Sequence, residues 1–306
     1  MEGKVAVVAI VRDERPFLDE WLVYHRLLGI DHFFVYDDEP DLSMSEFLKP
    51  HSPHVTVVPW FERHRHLPGR NKQTKAYTHA LSNGLLGSFE WVAYIDVDEF
   101  LLLKRHASIH EFLSWFDRSV SSVSLNWMVF GHNGFYEDPG GLVTSSLIKR
   151  MYLPSPRCKS ISRCADIARV ESAHRAVLKR GCRIGASGGG FTEGHAAPGD
   201  VDVACVNHYQ CRSFTRWMSK VDRGEAADDP VGMFPENDWR GTKEGCLRQF
   251  VTVVASKHNE VEDRSMLKYK LALEGEIARI GRHGIVDDAR PGGDDPEPRS
   301  RHAATK

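Results

Sequence analysis

The chain has 306 residues, of which 41% are hydrophobic and 27% charged, enough to bury a substantial core in one large or two ordinary globular domains. Its 40 basic and 42 acidic residues leave a formal net charge of −2, which excludes a protein built chiefly to coat nucleic acid. No apolar run approaches the roughly 18 residues of a membrane span. The six cysteines are scattered with no CxxC pair, the pattern of free thiols in a reducing compartment.

The opening "MEGKVAVVAIVRDERP" carries a short apolar run without a small-residue cleavage site, so it reads as a first β-strand and not as a signal peptide. A helix follows over "FLDEWLVYHRLLG", with Pro16 in its first turn and Gly29 at its end. "DHFFVYDD" is a second strand, "SMSEFLKP" a short helix closed by Pro50, and "HVTVVPWF" a third strand. Then come a helix in "KQTKAYTHALSNGL", a fourth strand in "EWVAYIDVDEF", a helix in "SIHEFLSWF" and a strand in "SVSSVSLNWMVFG". Strands alternating with helices at this spacing indicate βαβ units and a mostly parallel sheet flanked by helices. Residues 131–200 are richer in Gly and Pro, and "GASGGGFTEGHAAPGD" reads as a flexible loop over the site rather than a phosphate loop, because it lacks GxxxxGK[ST]. "VACVNHYQC", a helix in "SFTRWMSKVDRG" and a last helix in "VEDRSMLKYKLALEGEIARIG" follow. The expected organisation is a catalytic α/β domain over residues 1–225, a C-terminal helical extension over 226–283 and a disordered tail over 284–306.

"WVAYIDVDEFLLL" sets Asp96, Asp98 and Glu99 inside one of the most apolar runs, and burying carboxylates is costly unless cations or hydrogen-bond donors meet them. In an extended strand Asp96 and Asp98 would share a face, about 6.6 to 6.8 Å apart, with Glu99 on the other. That separation suits a division of labour, one carboxylate on a divalent ion and the other on a sugar or ribose hydroxyl or a metal-bound water. Hard oxygen ligands suit Mg²⁺ or Mn²⁺, which bind one or two carboxylates plus substrate phosphates. The strand's carboxyl end is where open α/β sheets bind ligands.

Asp96-Val97-Asp98 after "WVAYI" resembles the DxD motif of GT-A glycosyltransferases, and the chain as a whole resembles glycosyltransferase family 92 and its bacterial relatives. Ordered stretches carry the likeness over about residues 5–270: "RDERPFLDEWLVYHRLLGIDHFFVYDD", "KQTKAYTHAL" leading into "WVAYIDVDEFLLL", "LNWMVFGHNG" with "GLVTSSLIKR", "VNHYQCRSFTRWMSKVDRG" and "NEVEDRSMLKYK". Arg12-Asp13-Glu14 stands where relatives more often have Lys-Asn-Glu, and Asp37-Asp38 where they tend to have Asp-Asn, both at the cradle of the donor's base and ribose.

The resemblance implies a GT-A-type fold and a metal-dependent transfer of a sugar, a hexose, from a nucleotide donor such as a UDP-sugar to a glycan or lipid-linked glycan. Asp98 is then the first metal ligand, Asp96 a second metal residue or a contact to the ribose or sugar, directly or through water, and His208 resembles the late histidine that many GT-A enzymes add to the metal shell. Asp37 and Arg12 fall where the base or ribose would lie. Arg70, Lys72, Gln73 and Lys75 precede the DxD segment and could offset a diphosphate's charge. Arg223, one helical turn from Lys220, is a further phosphate contact. Glu193 and Asp138 are the candidates for the general base. Trp127 and Trp217 could stack on sugar rings or sit in the core. The rivals are a sugar nucleotidyltransferase and a non-catalytic carbohydrate-binding protein on the same fold. The first expects a glycine-rich loop after the first strand, and "RDERP" has none; the second would tolerate Asp98→Ala. A cytosolic enzyme, peripheral to a membrane where its acceptor is lipid-linked, is the expected setting.

Overall fold

The structure, a computed structural model, describes residues 3–63, 67, 71–189, 201–223 and 242–281. Its frame is a nine-stranded sheet in the order β3-β2-β1-β4-β8-β6-β12-β5, with β11 also on β6. The strands are β1 (Val5–Val11), β2 (His32–Asp37), β3 (Val55–Pro59), β4 (Trp91–Tyr94), β5 (Glu99–Leu103), β6 (Val120–Val129), β8 (Cys158–Arg163), β11 (Cys182–Gly185) and β12 (Ala204–His208). Only β8 and β5 run against the rest. The fold class is therefore the expected α/β one, a mostly parallel sheet flanked by helices.

Strand alternation builds the layers. Along β1, Val5, Val7, Ala9 and Val11 enter one core and Ala6 and Val8 the other. The first core is completed by Phe17, Leu18, Trp21 and Leu22 of α1 (Arg15–Leu27), the second by Ala76, Tyr77 and Ala80 of α3 (Lys72–Ser82). Each aliphatic side chain buried this way stabilises the fold by about 1.5–3 kcal/mol. Helix α1 starts with Pro in its first turn and stops before Gly29 at φ +102°, a left-handed position that suits glycine. Helix α3 is started by Asn71, whose side chain accepts from the Thr74 amide at 2.7 Å.

Chain order in the sheet reverses beside β1: β2 and β3 lie to one side and β4 to the other, so a crevice opens at the carboxyl ends of β1 and β4. The short helix α2 (Met44–Phe47) follows β2 at that rim, and α4 (Ile109–Ser114) follows β5.

Three expectations need correction. The fourth strand stops at Tyr94, and residues 95–98 form a turn in which the Glu99 amide donates to the Asp96 carbonyl at 3.0 Å. Beyond it β5 pairs antiparallel with β12 instead of extending β4. The DxD pair therefore lies on a turn, and the extended-strand spacing does not apply to it. Second, the Gly- and Pro-rich stretch from residue 131, where the sequence reading assigns no element, holds β7 (Lys149–Arg150), β8, the hairpin β9 (Ile167–Ser172) with β10 (Arg175–Leu178), and β11. Their serines and basic residues hide the strand pattern, because Ser122–Ser162 and Ser124–Ser160 pair hydroxyl to hydroxyl inside the sheet at 2.9 and 3.1 Å. Third, the last helix is interrupted: β13 (Val261–Glu262) pairs with β7, and α8 (Lys270–Arg279) is preceded by a 3₁₀ turn over Ser265–Tyr269.

The expected boundary near residue 225 and the tail 284–306 lie outside the described residues. The described part between them packs on the same unit, α7 (Lys243–Gln249) against α6 (Phe214–Arg223) and α8 against α1. Among the described residues no helix is long and apolar enough to cross a membrane.

Candidate functional site

The rim at the carboxyl ends of β1, β2, β4 and β12 gathers most of the residues singled out in the sequence, and β8, running the other way, starts there. The turn after β4 is organised by Glu99. This fully buried carboxylate accepts from the Asp96 amide at 2.9 Å and meets Lys159 Nζ at 3.2 Å. Lys159 is 1% exposed and is the second residue of β8, so the antiparallel strand delivers its ammonium to the rim. Burial pushes the Glu99 carboxyl well above the usual range. Burial also works against the Lys159 ammonium, but the charges of Asp96 and Glu99 outweigh it and raise its pKa.

Asp96 belongs to the same network. Its Oδ2 accepts from Lys159 at 3.0 Å, and its Oδ1 accepts from the Gln73 amide and from Tyr77 Oη, the latter at 3.3 Å. Gln73 also donates to Tyr77 Oη at 2.8 Å. Both Gln73 and Tyr77 come from α3, one helical turn apart. The Asp96 carboxylate is thus met by three protein donors, and Glu99 shares its cation instead of facing away.

Asp98 is placed differently. Its carbonyl accepts from the Tyr209 amide at 2.7 Å, which fixes it against the end of β12. His208 pairs in register with Glu99 across the β5–β12 ladder, so its ring arrives beside Asp98, with Nε2 at 3.6 Å from Oδ1. That is too long for a hydrogen bond. It falls at the spacing of two ligands of one ion, since donors roughly 2.1–2.2 Å from a shared metal lie about 3.0–3.6 Å apart. His208 is 7% exposed, and its Nδ1 has no partner among the described residues. The indole of Trp127 packs 4.2 Å from the His208 ring and 5.1 Å from that of His174, and its Nε1 is also buried without a partner there. Trp217 instead donates Nε1 to the Cys246 carbonyl at 3.0 Å and sits in a core with Phe250. Among the described residues no set of three or more His, Cys, Asp or Glu side chains is gathered to hold a metal. Asp98 and His208 would supply two ligands and leave the others to substrate oxygens, as Mg²⁺ and Mn²⁺ sites commonly do, and the imidazole favours Mn²⁺.

Several expected donor contacts have other work. Asp37 is 1% exposed, accepts from the amides of Glu39 and Met44 at 3.0 Å each, and so builds the loop after β2. Burial raises its pKa. Lys72 donates to Asp38 Oδ2 at 2.8 Å, while Asp38 Oδ1 stays buried without a partner among the described residues. Arg12 lies half-buried in the loop after β1. The Asp13 amide of that loop, at φ +56°, donates to Glu39 at 2.7 Å and ties the two loops together. Asp138 accepts from Ser213 at 2.6 Å and from Nε and Nη2 of Arg216 at 3.0 and 2.9 Å. With its oxygens taken by an arginine and a hydroxyl, it ties the loop before it to α6 and is poorly placed to accept a proton. Glu193, Arg70 and the side chain of Arg223 lie outside the described residues.

Three residues escaped the sequence reading: Lys159, Tyr77 and Arg212. Arg212 follows β12 at φ +55°, is 2% exposed, and lays its guanidinium 3.7 Å over the Phe17 ring. Its Nη1 donates to Glu14. Burial opposes its charge, and the carboxylates of Glu14, Asp98 and Asp138 more than compensate, raising its pKa. A strand pattern in "CKSIS" could have exposed Lys159, and the continuation "YQCR" after the histidine could have exposed Arg212.

The fold and this rim define an α/β protein with an acidic turn and a histidine at the sheet's switch point. Residues 8–160 match the family model of glycosyltransferase family 92, half of the chain. The chain belongs to that family. It is 24% identical over 226 residues to a family 92 protein of Ricinus communis, covering 72% of this chain and 38% of the relative. It is 25% identical over 263 residues to a family 92 protein of Arabidopsis thaliana, covering 80% and 41%. The chain thus spans about two-fifths of the length of these relatives. Among solved structures it is similar to glucosyl-3-phosphoglycerate synthase from Mycobacterium tuberculosis in complex with Mn²⁺ and UDP-glucose, at 15% identity and TM-score 0.31 over 54% of this chain and 57% of that one. A likeness that low carries no argument here.

Proposed function

We propose that this chain is a metal-dependent glycosyltransferase that moves a sugar, a hexose, from a nucleotide-sugar donor, a UDP-sugar in the first instance, to a glycan or lipid-linked glycan. In such a transfer an acceptor hydroxyl forms a bond to the anomeric carbon, the bond from that carbon to the diphosphate breaks, and a nucleoside diphosphate leaves. The observation that carries the reading is the pair Asp98 Oδ1 and His208 Nε2, 3.6 Å apart at the switch point of a family 92 chain. A divalent ion held there with diphosphate oxygens would offset the charge that develops on the leaving group.

The chain's own residues divide the remaining work. Asp98 and His208 would hold Mn²⁺ or Mg²⁺. Asp96, Glu99 and Lys159 hold the turn that presents Asp98. Asp38 Oδ1, a buried acceptor with no partner among the described residues, faces a donor nucleoside hydroxyl in this reading, with Lys72 fixing its other oxygen. A nucleotidyltransferase would want a glycine-rich loop after β1, and that loop reads "RDERP".

Thermal shift assays against a panel of nucleoside diphosphates, with and without Mn²⁺, test the proposal. The expected result is stabilisation by one nucleotide that requires the metal. A folded sample that responds to none of them, with or without metal, contradicts it.

A further inference from the structure

Arg212 is the one fully buried guanidinium with hydrogen-bonding capacity left over among the described residues. It offers five N–H donors, and burial makes each unmet donor costly, about 1–3 kcal/mol by general experience. Only Nη1 is used, on Glu14; Nε and Nη2 have no partner among the described residues, although the side chain is 3% exposed. These two nitrogens form one edge of the guanidinium, the edge that grips a carboxylate or phosphate side-on with two parallel hydrogen bonds.

Its surroundings say which ligand. Arg212 stands four residues beyond His208, and its other side is pinned by Phe17 and Glu14, from α1 and the loop that ends β1. Asp98 and Asp138 both act on it electrostatically, so its charge belongs to the same rim as the proposed metal pair. The backbone at φ +55° is an uncommon conformation for arginine, held here by the Glu14 pair and the ring beneath. A purely structural arginine would be expected to spend its second edge on the protein.

We propose that Arg212 is a donor-binding residue whose Nε–H and Nη2–H take non-bridging oxygens of the donor's diphosphate, on the side away from the metal pair. This rests on the glycosyltransferase reading above, and it moves the diphosphate's cation from the helix α3 lysine to the residue after β12. Lys72 is held by Asp38; Arg212 keeps an edge open.

Isothermal titration with Mn²⁺ tests it, using UDP, inorganic pyrophosphate and uridine as probes on wild type, Arg212→Met and Arg212→Lys. The expected result is a loss of tenfold or more in UDP and pyrophosphate affinity in both variants, with uridine affinity within twofold. Arg212→Lys keeps the charge but not the fork, so it serves if the methionine variant does not fold. Arg212→Met also removes the buried Glu14 pair and the Phe17 stack and is expected to lower the melting temperature, so Arg212→Lys carries the comparison. Wild-type affinity for UDP and pyrophosphate in either folded variant overturns the assignment and leaves the glycosyltransferase reading standing. Binding of pyrophosphate unchanged but loss of an anionic acceptor analogue would place the anion on the acceptor and also overturn it. A wild type that binds none of a panel of nucleoside diphosphates overturns both.

Discussion

Asp96 and Asp98 stand two residues apart in one turn, yet they occupy opposite kinds of environment. Asp96, its side chain one-third exposed, is nevertheless held by Gln73, Tyr77 and Lys159 and shares that lysine with Glu99. Asp98 faces His208 across 3.6 Å, within the field of an arginine that keeps two donors open among the described residues. The difference teaches that an acidic motif can be half framework and half site. A closed network sets the geometry, and an under-satisfied neighbour marks where the ligand belongs.

The sharpest way to break this contrast is to open the closed half. Lys159→Met removes the cation from a fully buried Glu99, and uncompensated buried charge costs about 3–5 kcal/mol. Urea denaturation of the variant should show that loss, and adding Glu99→Gln should restore more than half of it. A loss below about 1 kcal/mol would show that the network is not what holds the turn.

The open half should behave in reverse. Asp98→Asn should weaken Mn²⁺-dependent nucleoside diphosphate binding by about a hundredfold, about 2.7 kcal/mol. Its melting temperature without ligand should fall less than that of Asp96→Asn, since Asp96 carries three hydrogen bonds from Lys159, Gln73 and Tyr77.

Acid should weaken the frame. His25 is fully buried behind β5; its Nδ1 donates to the Trp21 carbonyl at 2.9 Å and its Nε2 accepts from the Leu101 amide at 3.2 Å. Burial lowers its pKa to about 3 from the ordinary 6.5. A folded-state pKa depressed in this way gives stability that is complete above pH 6.5 and is lost as pH falls from there toward 3. The slope contributed is about 1.4 kcal/mol per pH unit. Denaturation midpoints between pH 6 and 4 should show it, and His25→Leu should flatten that slope while lowering stability overall. The smallest effect concerns α3: Asn71→Ala removes its cap and should cost about 1 kcal/mol of stability.

The parallel half of the sheet was legible in the sequence because its strands are buried on both faces and read as unbroken apolar runs, "KVAVVAIV" and "HFFVYDD" among them. Helices α1 and α3 announced themselves through Pro16, Gly29 and a helical apolar stripe. β8 did not, since its buried serines pair with those of β6 and leave no hydrophobic alternation to read, and β11 is only the four residues "CRIG". The site was half legible. The family resemblance named Asp98, Asp96 and His208 as metal residues; the structure brings Asp98 and His208 to 3.6 Å and holds Asp96 with Lys159, Gln73 and Tyr77. Asp37, Lys72, Gln73 and Asp138 were named as ligand or catalytic residues, and the structure occupies them with amides, Asp38, Asp96 and Arg216. Residue type cannot tell a partnered polar group from an open one, because the partners come from distant strands: Lys159 reaches Asp96 across 63 positions, and Arg212 reaches Glu14 across 198.

The division of labour in the turn is tested most directly by pulsed electron paramagnetic resonance of Mn²⁺ bound with a nucleoside diphosphate. The wild-type complex should show a nitrogen coupling from the His208 imidazole. That coupling should vanish in His208→Gln, and Asp98→Asn should lose the bound Mn²⁺ signal, while Asp96→Asn keeps both. A coupling that survives His208→Gln, or Mn²⁺ bound as tightly by Asp98→Asn as by wild type, would contradict the account.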